Sequence, residues 1–376
     1  MDFFATAAKG TEPALRDELR ELRLSEVRAD RGGVHFAGPF EDAWRACLWS
    51  RVAVRVLAWR AAFPAPDGEG LYEGVRAIDW SPFLSRSHTL AVKATCRSSR
   101  LTHTQFIAQK TKDAIVDSLR EQYGARPSVD LRDPDVNVVV HLVKNQADVY
   151  LDMSGGALHK RGYRARAGDA PLKETLAAAV VRLSGWDRKR PLVDPMCGSG
   201  TIAIEAAAWA RGLAPGLARA RFGFERWAYF DASMQKQMAE LREDARAEPL
   251  RRKAAREAVV SASDIDGALV ALARTNAEDA GVTLTLEKRD VRDIAPTVPP
   301  GVIVTNPPYG ARLDSTAALY GDMGRVFSRL HGHSLAILAG SSAAQAIEKA
   351  IAVEKKSWLL LYNGDIECKL LSYDVP

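Results

Sequence analysis

The chain has 376 residues, 47% hydrophobic and 26% charged, enough apolar side chain to fill more than one core, which excludes a disordered or disulfide-stapled scaffold. Its 52 Lys and Arg against 47 Asp and Glu leave a formal charge of +5, which permits a polyanionic partner without establishing one. No apolar run approaches the ~18 residues that cross a bilayer, the first residues carry no secretory pattern, and Cys47, Cys96, Cys197 and Cys368 form no C-x-x-C pair, so no membrane, no zinc or other metal site, and a reducing cytoplasmic setting are expected.

Residues 1–60 read as a small α/β domain. Residues 2–7 suit a strand, and Thr11 is placed to cap a helix with Glu12 and Pro13 in its first turn and Leu15, Leu19 and Leu22 at helical spacing. Residues 31–33 suit a turn, 34–36 a strand and 40–56 a second helix. The prolines and glycine of 63–68 break regular structure, and a second α/β unit spans 61–156. It holds a helix over 70–78, a strand over 89–96, an amphipathic helix over 104–123, and a hairpin of 137–143 with 147–153. Residues 157–174 form a basic connector bearing Lys160, Arg161, Arg164, Arg166 and Lys173, read either as a solvated linker or as a phosphate-contacting hinge that binds RNA. From 175 to 376 helices (175–183, 201–211, 267–280) alternate with strands (191–194, 259–262, 284–286, 302–305, 334–338), the pattern of a parallel sheet covered by helices.

The strand ending at Asp194 runs through Pro195, Cys197, Gly198 and Gly200 into a helix that starts near Thr201. Glycines let backbone pass close to a ligand, and the helix start offers free N–H groups. A dinucleotide loop wants a third glycine where Ala203 stands, a triphosphate loop wants a lysine that is missing, and Asp194 would repel a pyrophosphate. An acid there suits a cationic ligand with a free amine, such as S-adenosylmethionine. A structural strand-to-helix turn is the other reading. Asp264 ends the next strand and suits ribose hydroxyls, with Asp266 as a helix cap; Asp290 ends a third and suits an adenine amino group.

Asn306-Pro307-Pro308-Tyr309 follows the strand over 302–305. Two prolines cannot continue a central strand, so they stiffen its tip. The Asn306 side-chain oxygen and the Pro307 carbonyl can each accept one N–H of an exocyclic amine, and Tyr309 can stack on its ring. Such acceptors draw the nitrogen lone pair out of conjugation and aim it at a methyl group.

In this order the residues resemble the class I S-adenosylmethionine-dependent methyltransferases that modify an amino group. The strings Leu158-His159-Lys160-Arg161-Gly162-Tyr163-Arg164 and Pro171-Leu172-Lys173-Glu174-Thr175-Leu176-Ala177 are similar to those of the THUMP-domain RNA guanine-N2 methyltransferases. Ala8-Lys9-Gly10, Gly32 to Phe36 and Trp49-Ser50-Arg51 extend the resemblance over essentially the whole chain. It implies a ferredoxin-like N-terminal domain, a THUMP RNA-binding domain and a Rossmann-like catalytic domain. It implies cofactor contacts from Lys173, Glu174 and Thr175, and N2-methylation of a guanosine in 23S rRNA, with tRNA the target of related members. Some members carry a second C-terminal methyltransferase domain; this sequence runs to Pro376, just past the first. Adenine N6 in DNA or RNA is the alternative target, and a non-catalytic RNA-binding assembly factor the alternative class. Separate N-terminal modules favour RNA, and an intact Asn306 loop favours catalysis.

Overall fold

Strand β1 (Asp2–Thr6) and helix α1 (Glu12–Glu21) form where the apolar spacing places them. Thr11 does not cap α1 through its side chain; its hydroxyl donates back to the Ala8 carbonyl at 2.7 Å. Strands β2 (Ser25–Asp30) and β3 (Gly33–Ala37) follow, then helix α2 (Phe40–Trp49). The helix expected over 40–56 stops at Trp49, and Ser50 is extended. The buried Glu18 carboxylate is the cause: it accepts the Ser50 hydroxyl at 2.5 Å and the N–H of Arg51 and Val52 at 3.0 and 3.1 Å, which satisfies these groups outside a helix. The structure, a computed structural model, describes residues 1–124, 127–164, 172–252, 259–308 and 316–376, with the backbone alone at 252, 316 and 317.

Strand β4 (Arg55–Pro64) is followed by α3 (Gly68–Arg76), β5 (Thr89–Arg97), α4 (Thr104–Tyr123), β6 (Ser128–Val129), β7 (Val136–Val143) and β8 (Gln146–Asp152). Asp67 caps α3 by accepting the Gly70 N–H at 2.9 Å. Lys144 and Asn145 turn the β7–β8 hairpin with φ of 51° and 62°, the conformation a two-residue turn of this twist requires. β4 pairs with β1 (Phe3 opposite Ala58) and with β8 (Leu57 opposite Asp152). One eight-stranded sheet, β2-β3-β1-β4-β8-β7-β5-β6, therefore runs through both N-terminal units, and a division after residue 60 falls inside β4.

The rest of the chain builds α5 (Glu174–Leu183), β9 (Leu192–Asp194), α6 (Thr201–Arg211), α7 (Ala232–Arg252), β10 (Val260–Asp264), α8 (Gly267–Asp279), β11 (Thr285–Lys288), β12 (Val302–Thr305), α9 (Thr316–Phe327), β13 (Ser334–Gly340), α10 (Ser341–Ala350), β14 (Lys355–Asn363) and β15 (Ile366–Asp374). Their sheet runs β11-β10-β9-β12-β13-β15-β14. β9 to β13 are parallel, while the β14–β15 hairpin, which the alternation did not announce, adds two antiparallel strands. All four residues of β12 are buried, as a strand covered on both faces must be. One core holds side chains of α5, α6 and α8 and the other those of α9 and α10. Between α6 and β10 the chain crosses back: Phe224 stacks on Trp44 at 5.5 Å and Trp227 meets Phe83 edge-on at 5.3 Å, completing the N-terminal core. Among the described residues, no helix is long and apolar enough to cross a membrane.

Candidate active site

β9 is flanked by β10 on one side and β12 on the other, so the chain reverses direction across the sheet between β9 and β12. In open α/β sheets ligands bind beyond the carboxyl ends of the strands at such a point. Asp194 ends β9 there, 1% exposed, and its Oδ1 accepts the Thr305 hydroxyl from the tip of β12 at 3.1 Å. Burial, with a smaller push from the Asp264 charge, raises the Asp194 carboxyl to about 7.

The glycine turn is held from the neighbouring strand. The Cys197 N–H donates to the Ser263 carbonyl and the Gly198 N–H to Asp264 Oδ2, each at 2.9 Å. Gly198 and Gly200 have φ of 52° and 86°, a region L side chains rarely adopt. A Cβ on Gly200 would fall 3.0 Å from the Ala273 side chain, whereas one on Gly198 would meet no protein atom within 4 Å. Pro195 and Cys197 are buried beneath, and Thr201 opens α6, whose N-terminus has no side-chain cap.

Asp264 is half-buried at the tip of β10, its Oδ1 accepting the Asp266 N–H at 3.0 Å. Asp266 caps α8 through the Ala268 N–H at 2.8 Å. Asp290 follows β11, and its hydrogen bonds with Arg292 hold its carboxyl below the ordinary range. The tips of adjacent strands thus present Asp194, Asp264 and Asp290 in a row.

Asn306 extends directly from the Thr305–Asp194 contact, half-buried, and its Oδ1 is buried with no hydrogen-bond partner. Pro307 is buried, Pro308 is exposed, and the Pro308 carbonyl accepts the hydroxyl of buried Tyr320 at 2.6 Å. Tyr309, and Arg166 of the connector, lie outside the described residues.

Two arginines of the connector depart from the expectation of an RNA-facing stretch. Arg161 is buried, its guanidinium 2.7 Å from Glu205, and it donates to the Arg51 carbonyl at 2.5 Å. Arg164 donates to the Leu172 carbonyl at 2.6 Å and to the Thr201 hydroxyl, with Glu174 3.5 Å away. Both are thereby corrected to internal ties, since a run of cations in sequence says nothing of which face is covered. Lys160 is exposed. Lys173 is exposed at the N-cap of α5, Glu174 is buried, and the buried Thr175 hydroxyl has no partner. Tyr320 and Glu205 carry no sequence signal of their own; only the fold brings them in.

These residues fit a cation-bearing nucleoside. The acids line the strand tips, the glycine turn leaves space above Gly198, and a buried acceptor is left unpaired at Asn306. Among the described residues, no three His, Cys, Asp or Glu side chains are grouped to hold a metal ion.

Residues 161–372 match the family described as RMKL-like, methyltransferase domain, 66–152 match the THUMP domain, and 2–57 match the RlmL ferredoxin-like domain. The chain is 42% identical over 385 residues to the ribosomal RNA large subunit methyltransferase K/L of Methylococcus capsulatus, covering 100% of this chain and 51% of that protein. The chain spans about half the length of the curated relatives it matches. Among solved structures it is similar to SMU.472, a putative methyltransferase complexed with SAH (TM-score 0.88, 33% identity, 100% of this chain and 98% of that one). It is also similar to a predicted N6-adenine-specific DNA methylase from Listeria monocytogenes (TM-score 0.87, 32% identity, 100% and 96% covered).

Proposed function

The chain belongs to the RMKL-like methyltransferase domain family, and from that premise we propose that it methylates the exocyclic N2 of a guanosine in RNA, with 23S rRNA as the target. The single observation that carries this reading is the buried, unpartnered Oδ1 of Asn306 beside the row of acidic strand tips. A buried acceptor without a donor costs free energy, and a substrate amine N–H is the donor that would satisfy it. The Pro307 carbonyl accepts the second N–H in this reading. Asp264 and Asp290 hold the ribose and the adenine amino group of S-adenosylmethionine, and Asp194 faces its cationic end.

S-adenosylmethionine supplies an activated methyl group. The protein therefore needs no strong base, and its work is to hold the amine in line, for which positioning is worth about 7–11 kcal/mol. RNA is favoured by the match to the THUMP domain, by relatives named for ribosomal RNA, and by the net positive charge of +5. A ribosomal target goes with a cytoplasmic location. Adenine N6 presents the same two N–H groups and is the second reading, favoured by the name of the Listeria structure.

The test is methylation of RNA from a strain lacking the gene, followed by nucleoside mass spectrometry. N2-methylguanosine in the large-subunit RNA is expected. N6-methyladenosine would select the second reading, and no transferred methyl group would defeat both.

A further inference from the structure

A cavity of about 500 Å³ opens where four segments distant in sequence meet: the loop after β1, Val54 just before β4, the start of α5 and the turn between β14 and β15. Strand register brings the turn there. Gly340, the last residue of β13, pairs with Cys368, and Cys368 pairs with Leu361, so residues 363–366 overhang the carboxyl edge of the parallel strands. The start of α5 is tied to the glycine turn by Arg164, which bridges Leu172 and Thr201. The N-terminal loop is seated tightly: a Cβ on Gly10 would fall 2.1 Å from the Leu360 carbonyl oxygen. The cavity is therefore part of the catalytic edge, walled on one side by the N-terminal domain.

Its lining is chemically specific. Lys9 places its ammonium 3.8 Å from the centroid of the Tyr362 ring. Lys173 adds a second ammonium, and the Thr175 hydroxyl is buried there without a partner. The α5 N-terminus, without a side-chain cap, faces the same space. Asp365 is the carboxylate of the wall, outnumbered by the two ammonium groups. The Tyr362 hydroxyl bonds to Glu367 at 3.2 Å, away from the ring faces. Cations and a flat ring are what a nucleotide with its phosphate requires, and the volume is that of an ordinary ligand pocket.

We propose that this cavity is an RNA subsite beside the reacting amine, in which Lys9 meets a backbone phosphate of the target strand and Tyr362 carries a neighbouring base. The subsite rests on the function proposed above. The carboxylate of the cofactor's amino-acid end is the competing anion, and Lys9 decides between them because it comes from the N-terminal domain.

The experiment measures binding of the full chain to an unmodified large-subunit rRNA transcript by anisotropy across ~0.05–0.2 M KCl, and S-adenosylmethionine binding by calorimetry. Lys9→Gln should weaken RNA binding several-fold and reduce the salt slope by about one, with cofactor affinity within about twofold of wild type. Tyr362→Leu should weaken RNA binding with the slope unchanged, and Tyr362→Phe should restore it. Lys9→Gln that weakens the cofactor while sparing the RNA slope would assign the cavity to the cofactor and overturn the subsite. Wild-type protein that binds the RNA with a slope insensitive to Lys9→Gln would overturn the subsite alone. Wild-type protein that binds no RNA would overturn the proposed function and the subsite with it.

Discussion

Replacing Asn306 with alanine should pull activity and stability in opposite directions. Its Oδ1 is buried and unpaired, a condition that costs about 1–3 kcal/mol in the free protein. Truncation removes that cost along with a few side-chain contacts, so stability should hold or rise by up to about 1 kcal/mol. In a domain of this size that raises Tm by roughly 2–4 °C. The same oxygen accepts an N–H as charge develops on the amine, and loss of one such transition-state contact costs about 100- to 1,000-fold in kcat. Cofactor affinity should stay near wild type, since the lost contact is made to the other substrate. Single-turnover methyl transfer gives the first quantity, and scanning calorimetry of the free protein gives the second. A kcat within tenfold of wild type, or a Tm several degrees lower that accounts for the lost activity, would show that Asn306 is a structural residue.

Tyr320→Phe removes the hydroxyl that holds the Pro308 carbonyl, and kcat should fall about tenfold while the Kd for S-adenosylmethionine is unchanged; an unaltered kcat would free the loop from that tie. For Asp194 the folded carboxyl sits at about 7 against an ordinary 3.8, so the folded state holds the proton more tightly than the unfolded chain. The stability it contributes below about pH 4 is then lost as pH rises to about 7, a few kcal/mol across the window, and Asp194→Asn should flatten that slope in urea melts. Identical slopes in the two proteins would contradict the burial argument. Arg161→Met strands the Glu205 charge and should cost about 3–5 kcal/mol in denaturant unfolding, whereas Lys160→Gln at the surface should stay within about 0.5 kcal/mol. Equal melting of both variants would show that the Arg161 pair carries no weight.

What could be read from the sequence was what depends on near neighbours. Helices α4 and α6 and strand β12 fall on the residues their periodicity marks, and the acids at 194 and 264 end the strands their short apolar runs mark, with Asp290 two residues beyond β11. Asn306 was legible because two prolines forbid a continuing strand. The segment between α6 and β10 was not, since its aromatic residues find Trp44 and Phe83 more than 100 positions away. The end of α2 was hidden for the same reason: the carboxylate that collects the following N–H groups belongs to α1. Arg161 and Arg164 were misread because a cluster of cations in sequence does not reveal the buried glutamates that fold against it.

Because β4 belongs to two ladders at once, the first two units cannot swing about a joint without tearing one of them. The two units therefore move as one body, and whatever contacts β6 keeps its distance from β1.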